Sequence, residues 1–401
     1  MCLVAVARIA LLGAGCLFAI IPWRRLPGWI GPGVVAAAAL VIGVVPRGAA
    51  RTAADNLADP IAFLLLAVPL AVLLDQSGFF ASLAGLVGHT RHLAVGLWTL
   101  AALVTVVFNL DAAVVLLTPL YVRIAERHGR DPVAFGFIPA LLASLASSVL
   151  PVSNLTNLIA AERLHLDAGD FVAHLALPTL AAVVVGGWIF VRTDRPHSAI
   201  GDGQATVDDP VDPAALRVGF PVVAWLLIGF VVGEQLGVPE WIVVAIALVG
   251  LVIQQRDVPW RHVPYHAAVL AIGLGVLATA AAQHIGVNRV LAIDGVPGEL
   301  ATVGAAAVGA NTINNLPALL VVLPGMETHH QRVWAVLLGV NLGPTLWVTG
   351  ALSTLLWQAT MRRLGHPISA VRYARTAARI GLPAMAAATA THIVLVLVAR
   401  P

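Results

Sequence analysis

The sequence predicts an all-α polytopic membrane protein. It is built as two inverted repeats, each of five transmembrane helices plus one re-entrant hairpin, with broken helices meeting at the midplane. Three observations predict it. Hydrophobic residues make up 59% of the chain and charged residues 11%, with a mean hydropathy of +0.92, whereas a soluble domain carries about 25% charged residues. Apolar stretches of bilayer length, about 20 residues, recur along the 401 residues. Polar clusters of Asn, Ser, Thr and Pro interrupt four of those stretches, at matching positions of two halves.

So few charges cannot cover a water-exposed surface, which excludes soluble enzymes and nucleic-acid binders. The pI of about 9.4 comes with a net charge of only +3, too small to imply an anionic macromolecular partner. All 23 basic residues are Arg, so lysine-based phosphate or Schiff-base chemistry is absent. The two cysteines, Cys2 and Cys16, sit in the first apolar segment. They make neither a disulfide framework nor a metal site, and they are expected to lie far from the polar breaks. No cofactor and no resident metal are implied; His329-His330 would make a poor metal site without acidic or Cys partners.

In chain order, full-length spans are expected near 3–22, 28–46, 58–75, 133–162, 171–192, 217–233, 239–254, 264–283, 333–358 and 378–399. In the first, Arg8 precedes an apolar run, the arrangement of a signal peptide. It ends in Pro22-Trp23-Arg24-Arg25 without a small-residue cleavage site, so a retained helix is expected. Regions 93–124 and 300–323 are broken by Asn109-Leu110-Asp111 and by Asn311-Thr312-Ile313-Asn314-Asn315. Their half-segments are short for a crossing and read as hairpins. A non-helical tip at membrane depth is tolerated only where protein or a cavity surrounds it.

The arginines set the orientation. With the N-terminus on one side, sixteen arginines fall on the opposite side, among them Arg123, Arg127, Arg261, Arg362 and Arg363. Six, including Arg163 and Arg332, fall on the first side, and Arg8 lies at its edge. By the positive-inside rule the richer side is cytoplasmic. The chain is therefore expected in the cytoplasmic membrane with both termini outside.

The polar stretch 193–216, with Thr193-Asp194-Arg195-Pro196 and Asp208-Asp209-Pro210, reads as a cytoplasmic linker between repeats 1–192 and 217–401. Five spans per half is an odd number, so the second half is expected upside down. The broken helices are 133–162, interrupted at Pro151-Val152-Ser153-Asn154-Leu155-Thr156-Asn157, and 333–358, interrupted at Asn341-Leu342-Gly343-Pro344-Thr345. Pro151, Pro317 and Pro344 remove backbone donors and clash with the preceding turn. An isolated intramembrane Asn often serves only as interhelical glue. Four Asn-containing breaks at matching positions argue instead for a site of the kind secondary transporters build where discontinuous helices meet.

Asp111 is the sharpest ionisable candidate, because a carboxylate inside a membrane segment pairs, conducts or exchanges a proton. It could equally cap the helix that begins Ala112-Ala113-Val114, and the two roles are compatible. Asp75 and Gln76 end a span, and Glu240 borders a short outer loop. His174 and His392 lie within spans, where a lone histidine more often bonds a neighbouring helix than relays protons.

These motifs resemble the arsenical-pump membrane protein (ArsB) family, within the ion transporter superfamily that includes dicarboxylate and sodium/proton carriers. The matching stretches are Phe108-Asn109-Leu110-Asp111-Ala112-Ala113 with Leu117-Thr118-Pro119, Val152-Ser153-Asn154-Leu155-Thr156-Asn157, Asn314-Asn315-Leu316-Pro317 and Gly339-Val340-Asn341-Leu342-Gly343-Pro344. Where family members tend to place Asn directly before the hairpin Asp, this chain has Leu110, with Asn109 one residue earlier. The resemblance implies export of arsenite or antimonite, driven by protons or through a separate pump ATPase.

Arsenite near neutral pH is mostly a neutral trihydroxide, which suits amides and hydroxyls. The expected substrate-binding set is Asn109, Ser153, Asn154, Thr156, Asn157, Asn314, Asn315, Asn341 and Thr345. Asp111 is the expected proton-coupling residue, and Pro151, Pro317, Gly343 and Pro344 form the helix breaks. The alternative within transport is a sodium/proton or organic-anion carrier, since the same oxygens could hold sodium. No His-Glu-x-x-His, paired-acid or Ser/His pattern occurs at membrane depth, so an enzyme is not expected. A purely structural subunit would carry two polar-tipped hairpins at a cost without purpose. Partners are the small inorganic cargo, protons and membrane lipid, and the helices away from the breaks could pair two copies as a homodimer.

Overall fold

The computed structural model describes residues 2–20, 29–88, 92–193, 211–282 and 284–399. Among these residues there are helices and no strands. The expected linker falls mostly outside them, since 194–210 are not described, and so does Pro22-Trp23-Arg24-Arg25.

The first half runs α1 (Cys2–Ile20), α2 (Ile30–Val41), α3 (Arg47–Gln76), α4 (Phe79–Gly88), α5 (Leu93–Phe108), α6 (Leu110–Arg127), α7 (Pro132–Leu145), α8 (Leu155–Leu164) and α9 (Ala168–Thr193). The second half runs α10 (Pro213–Gln235), α11 (Glu240–Gln255), α12 (Tyr265–Ala282), α13 (Asn288–Leu291), α14 (Gly295–Ile313), α15 (Asn315–Thr328), α16 (Val333–Leu342), α17 (Leu352–Arg363) and α18 (Ala370–Val398). The stretches Arg47–Gln76, Ala168–Thr193, Pro213–Gly233, Trp260–Ala282 and Ala370–Val398 are long and apolar enough to cross a membrane. Shorter apolar helices accompany them. Such a set of helices suits a multi-pass membrane protein.

From α5 onward the element order of the first half recurs from α14. Two helices meet at one asparagine, a third helix ends in a break, a fourth leaves it, and a long helix closes the set. The two long closing helices, α9 and α18, pack against each other, as do α3 and α12. Helix α3 starts eleven residues before the expected span (47 against 58) and absorbs Pro60 and Pro69, which membrane helices tolerate when neighbours satisfy the freed groups. Helices α4 and α13 were not expected; both are too short to show as apolar spans.

Local chemistry explains the boundaries. Asp131 accepts a hydrogen bond from the Val133 amide at 2.8 Å, with Pro132 next to it at the start of α7. Ser369 accepts from Arg372 at 3.2 Å to start α18. Helix α16 lies unusually close to α14: a Cβ on Gly339 would stand 2.5 Å from Val303 O, and one on Gly343 2.6 Å from Ala307 Cα. Small residues four apart allow such approach, the usual device for packing helices in lipid. The two halves are tied by aromatic contacts. Phe137 of α7 packs on Trp357 of α17 at 4.7 Å and on Tyr373 of α18 at 5.8 Å, while Trp357 Nε1 donates to Gly136 O at 2.6 Å.

The outer faces of α9, α10 and α11 expose Val184, Trp188, Ile228, Val231, Ile246 and Ile253. Apolar side chains on so many helix faces suit a lipid solvent. The polar break residues lie inside this shell.

Candidate functional site

The site is built from two hairpin tips and two helix breaks. Helices α5 and α6 meet at Asn109 (φ 84°, ψ 148°), and α14 and α15 meet at Asn314 (φ 78°, ψ 153°). Both are left-handed backbone positions that L-residues seldom occupy. Each asparagine uses its carboxamide in the same way. Its Oδ1 accepts from the amide two residues on, Asp111 N at 2.9 Å and Leu316 N at 3.3 Å. Its Nδ2 donates to the break of its own half, to Val152 O at 3.4 Å and to Thr349 O at 3.2 Å. Ser153 Oγ adds a bond to Val106 O at 2.7 Å, and Asn315 N one to Gly350 O at 2.9 Å.

The breaks themselves are joined across the halves. Asn341, near the end of α16, accepts at Oδ1 from Asn154 Nδ2 (3.0 Å) and Thr156 Oγ1 (2.8 Å). Its Nδ2 donates to Asn157 Oδ1 (2.6 Å) and Ser148 Oγ (3.2 Å). A carboxamide has two donors and two acceptor positions, so all four of Asn341 are taken by protein. Asn157 Nδ2 donates to Ser147 O at 2.8 Å and Leu150 O at 3.0 Å, closing the break after α7. Asn154, Thr156, Asn157 and Asn341 are all buried.

Asp111, Asn154, Thr156, Asn314 and Asn315 line one cavity of about 30 Å³, walled on the other side by Leu64 of α3 and Ala267 and Ala271 of α12. That is room for one or two waters. A vestibule of about 330 Å³ shares Leu64, Asp111, Ala267 and Leu352 with it and opens at Arg261, His262 and Arg363. Asp111 Oδ1 is buried and takes no hydrogen bond from the described residues. A single carboxylate thus faces a small polar space whose other groups are uncharged.

The citrate transporter family CitMHS matches residues 4–352. The chain belongs to this family. Among curated relatives, the arsenical pump membrane protein of Yersinia enterocolitica is 29% identical over 397 residues, covering 89% of this chain and 91% of that protein. That of Escherichia coli K12 is 28% identical over 383 residues, covering 86% and 89%. The expected resemblance to arsenical-pump membrane proteins is borne out. An uncharacterized transporter of Synechocystis is 23% identical over 359 residues, covering 75% of each chain. The solved YdaH transporter of Alcanivorax borkumensis, described as having an unusual topology, matches 87% of this chain and 88% of its own. Its TM-score is 0.55 at 16% identity, a likeness of fold. A membrane transporter for a small ion substrate in a lipid environment is the function these findings support.

The remaining expected residues of this CitMHS chain lie around the site. Thr345 is buried without a hydrogen-bond partner for its hydroxyl among the described residues, and a Cβ on Gly381 of α18 would stand 2.8 Å from its Cγ2. Pro151 opens the turn after the first break and Pro317 lies in the first turn of α15. Gly343 and Pro344 open the turn after α16. His174 bonds Asp170 O at 2.8 Å and stacks on Trp334 at 4.3 Å.

Two expectations are corrected. Cys16 was expected far from the breaks, but α1 folds back so that its thiol donates to Ile313 O at 3.4 Å, one residue before the second hairpin tip. Hydropathy locates a span without saying what it packs against. Arg332, expected as an outer-loop arginine, is buried at 1% exposure and pairs with Glu299, which also meets His392 Nε2 at 3.2 Å. Arg332 further donates to Ile293 O and to Leu291 O. Glu299 was missed because it stands at the edge of an apolar run. Its only signal was its position one residue before the expected hairpin at 300.

Proposed function

We propose that this chain exports arsenite or antimonite across the cytoplasmic membrane by proton-coupled alternating access. The observation that carries the reading is the lone carboxylate of Asp111 facing a cavity whose other polar side chains, Asn154, Thr156, Asn314 and Asn315, are uncharged. The names of the curated relatives supply the cargo class. A neutral trihydroxide offers three hydroxyls, which Thr156, Asn154, Asn314 and Asn315 are suited to meet. Asn109, Ser153, Asn157 and Asn341 belong to the same site, and their hydrogen bonds favour holding tips and breaks in place over touching cargo, while Thr345 is placed in it by its position in the second break.

The repeating element order supports two repeats, 1–192 and 217–401, of opposite orientation around the linker 193–216. The hairpins α5–α6 and α14–α15, with α7–α8 and α16–α17, form the unit that moves against α3 and α12. Taking the arginine-rich side as cytoplasmic, the vestibule mouth at Arg261 and Arg363 faces the cell interior. The termini are then outside, and the conformation is open inward. Arg362, Arg363, Arg372 and Arg375 would offer a pump ATPase its docking face on that side.

A second reading, an organic-anion carrier, is favoured by one observation: the vestibule mouth carries Arg261 and Arg363, and cationic clefts concentrate anions. Arsenite uptake into everted vesicles, with an imposed pH gradient and neither sodium nor ATP, decides between them. Uptake abolished by a protonophore supports the metalloid exporter. No arsenite uptake by a well-inserted protein, with uptake of a carboxylate instead, supports the second reading.

A further inference from the structure

We propose that the apolar wall facing Asp111 sets the coupling of transport. It is built by Leu64 and Val68 of α3 and Ala267 and Ala271 of α12, and it lets the carboxylate pass only when a proton or the cargo's own hydroxyls cap it. The inference rests on the reading above, in which Asp111 exchanges the proton and the hairpin unit moves against α3 and α12.

Leu64 and Ala267 line both the small cavity and the vestibule beside Asp111. Val68 continues the wall toward the mouth and Ala271 toward the closed side. Leu64, Ala267 and Ala271 are 2%, 5% and 1% exposed. None of the four side chains carries a donor. The polar residues that share the small cavity with the carboxylate, Asn154, Thr156, Asn314 and Asn315, lie on the moving side and travel with it.

Among the described residues, the other titratable groups that line the vestibule with Asp111 belong to its mouth. They are Arg261, His262, Tyr265 and His266 around the start of α12, and Arg363 at the end of α17. The cavity and vestibule linings contributed by α3, α8 and α15 contain none. An ionised Asp111 therefore has water and the Arg261 cation beside α12 around it while it faces the mouth, and loses both as it crosses the hydrocarbon wall, whereas Arg363 rides on α17 with the moving unit. Moving a bare charge into such surroundings is strongly unfavourable.

Two forms of the carrier escape this cost. In one, the carboxylate has taken a proton from the outer side and crosses as neutral COOH, releasing that proton to the inner solution. In the other, the O–H groups of a neutral trihydroxide donate to the carboxylate and cross with it. The empty, ionised carrier does not move. One proton then enters for each trihydroxide exported, and exchange is obligatory because the wall offers no substitute cap.

The test uses the full-length protein in liposomes at symmetrical alkaline pH, where protons are scarce. Wild type should exchange labelled against unlabelled arsenite at least about tenfold faster than it releases arsenite down a gradient, a barrier difference of about 1.4 kcal/mol. Leu64→Gln places an amide donor on the wall, and net release should rise until the ratio approaches one. Ala267→Ser, a smaller change, should move the ratio the same way if the glutamine disturbs folding. The apolar Leu64→Met should keep the wild-type ratio. Retention of the wild-type ratio by transporting Leu64→Gln and Ala267→Ser proteins overturns the wall's role. Failure of wild type to exchange arsenite at all is a different result, which removes the transport reading itself and this inference with it.

Discussion

Asn154 Nδ2 donates to Asn341 Oδ1 across 3.0 Å, joining two helix breaks that lie 187 residues apart. The bond belongs to a closed set in which Asn341 also holds Thr156, Asn157 and Ser148. Asn341→Ala leaves the Thr156 hydroxyl without an acceptor and Asn157 Oδ1 without a donor, and leaves Asn154 Nδ2 only a 3.5 Å bond to Ser147 Oγ, all of them buried. Each orphaned group costs roughly 1–3 kcal/mol. Thermal unfolding in detergent should show a clear loss of stability for Asn341→Ala. Asn315→Ala should stay near wild type in stability and lose arsenite affinity instead.

The tips give a backbone prediction. Asn109 and Asn314 hold φ near +80°, which alanine accepts only with strain of about 1–3 kcal/mol. Glycine accepts it freely but loses the side-chain bonds to the breaks. Asn109→Gly should therefore unfold above Asn109→Ala, and the same order should hold at Asn314. An alanine variant as stable as the glycine variant would contradict the strained-tip account.

How much of this was legible in the sequence follows from what each signal encodes. The breaks were legible because Asn and Pro inside apolar runs have few other uses, and Asn109 and Asn314 do stand where the hairpins turn. The cross-half partner of Asn341 was not legible, since hydropathy carries no record of contact between distant segments. For the same reason Cys16 was misplaced relative to Ile313. Arg332 was lost to a rule that assigns arginines between spans to solvent, and Glu299 to its place at an apolar edge, while the structure buries both, with Glu299 between Arg332 and His392.

That buried cluster yields a stability prediction. Arg332→Met strands the Glu299 carboxylate with only His392 beside it. Breaking a buried pair from one side costs about 3–5 kcal/mol, so the variant should accumulate poorly in the membrane. Adding Glu299→Leu should restore part of the loss. A single variant that accumulates like wild type would show that the pair contributes little.

Cys16 separates two modes of metalloid recognition. Its thiol donates to Ile313 O, and serine can make the same bond. Cys16→Ser combined with Cys2→Ser should leave arsenite transport unchanged if oxygens and amides hold the cargo. Lost transport with normal insertion would instead point to thiolate capture.

The central claim, that the Asp111 carboxylate couples protons to cargo, is tested most directly with Asp111→Asn in everted vesicles. The account predicts a well-inserted variant that no longer accumulates arsenite under an imposed pH gradient. Gradient-driven accumulation by Asp111→Asn at the wild-type level would contradict it.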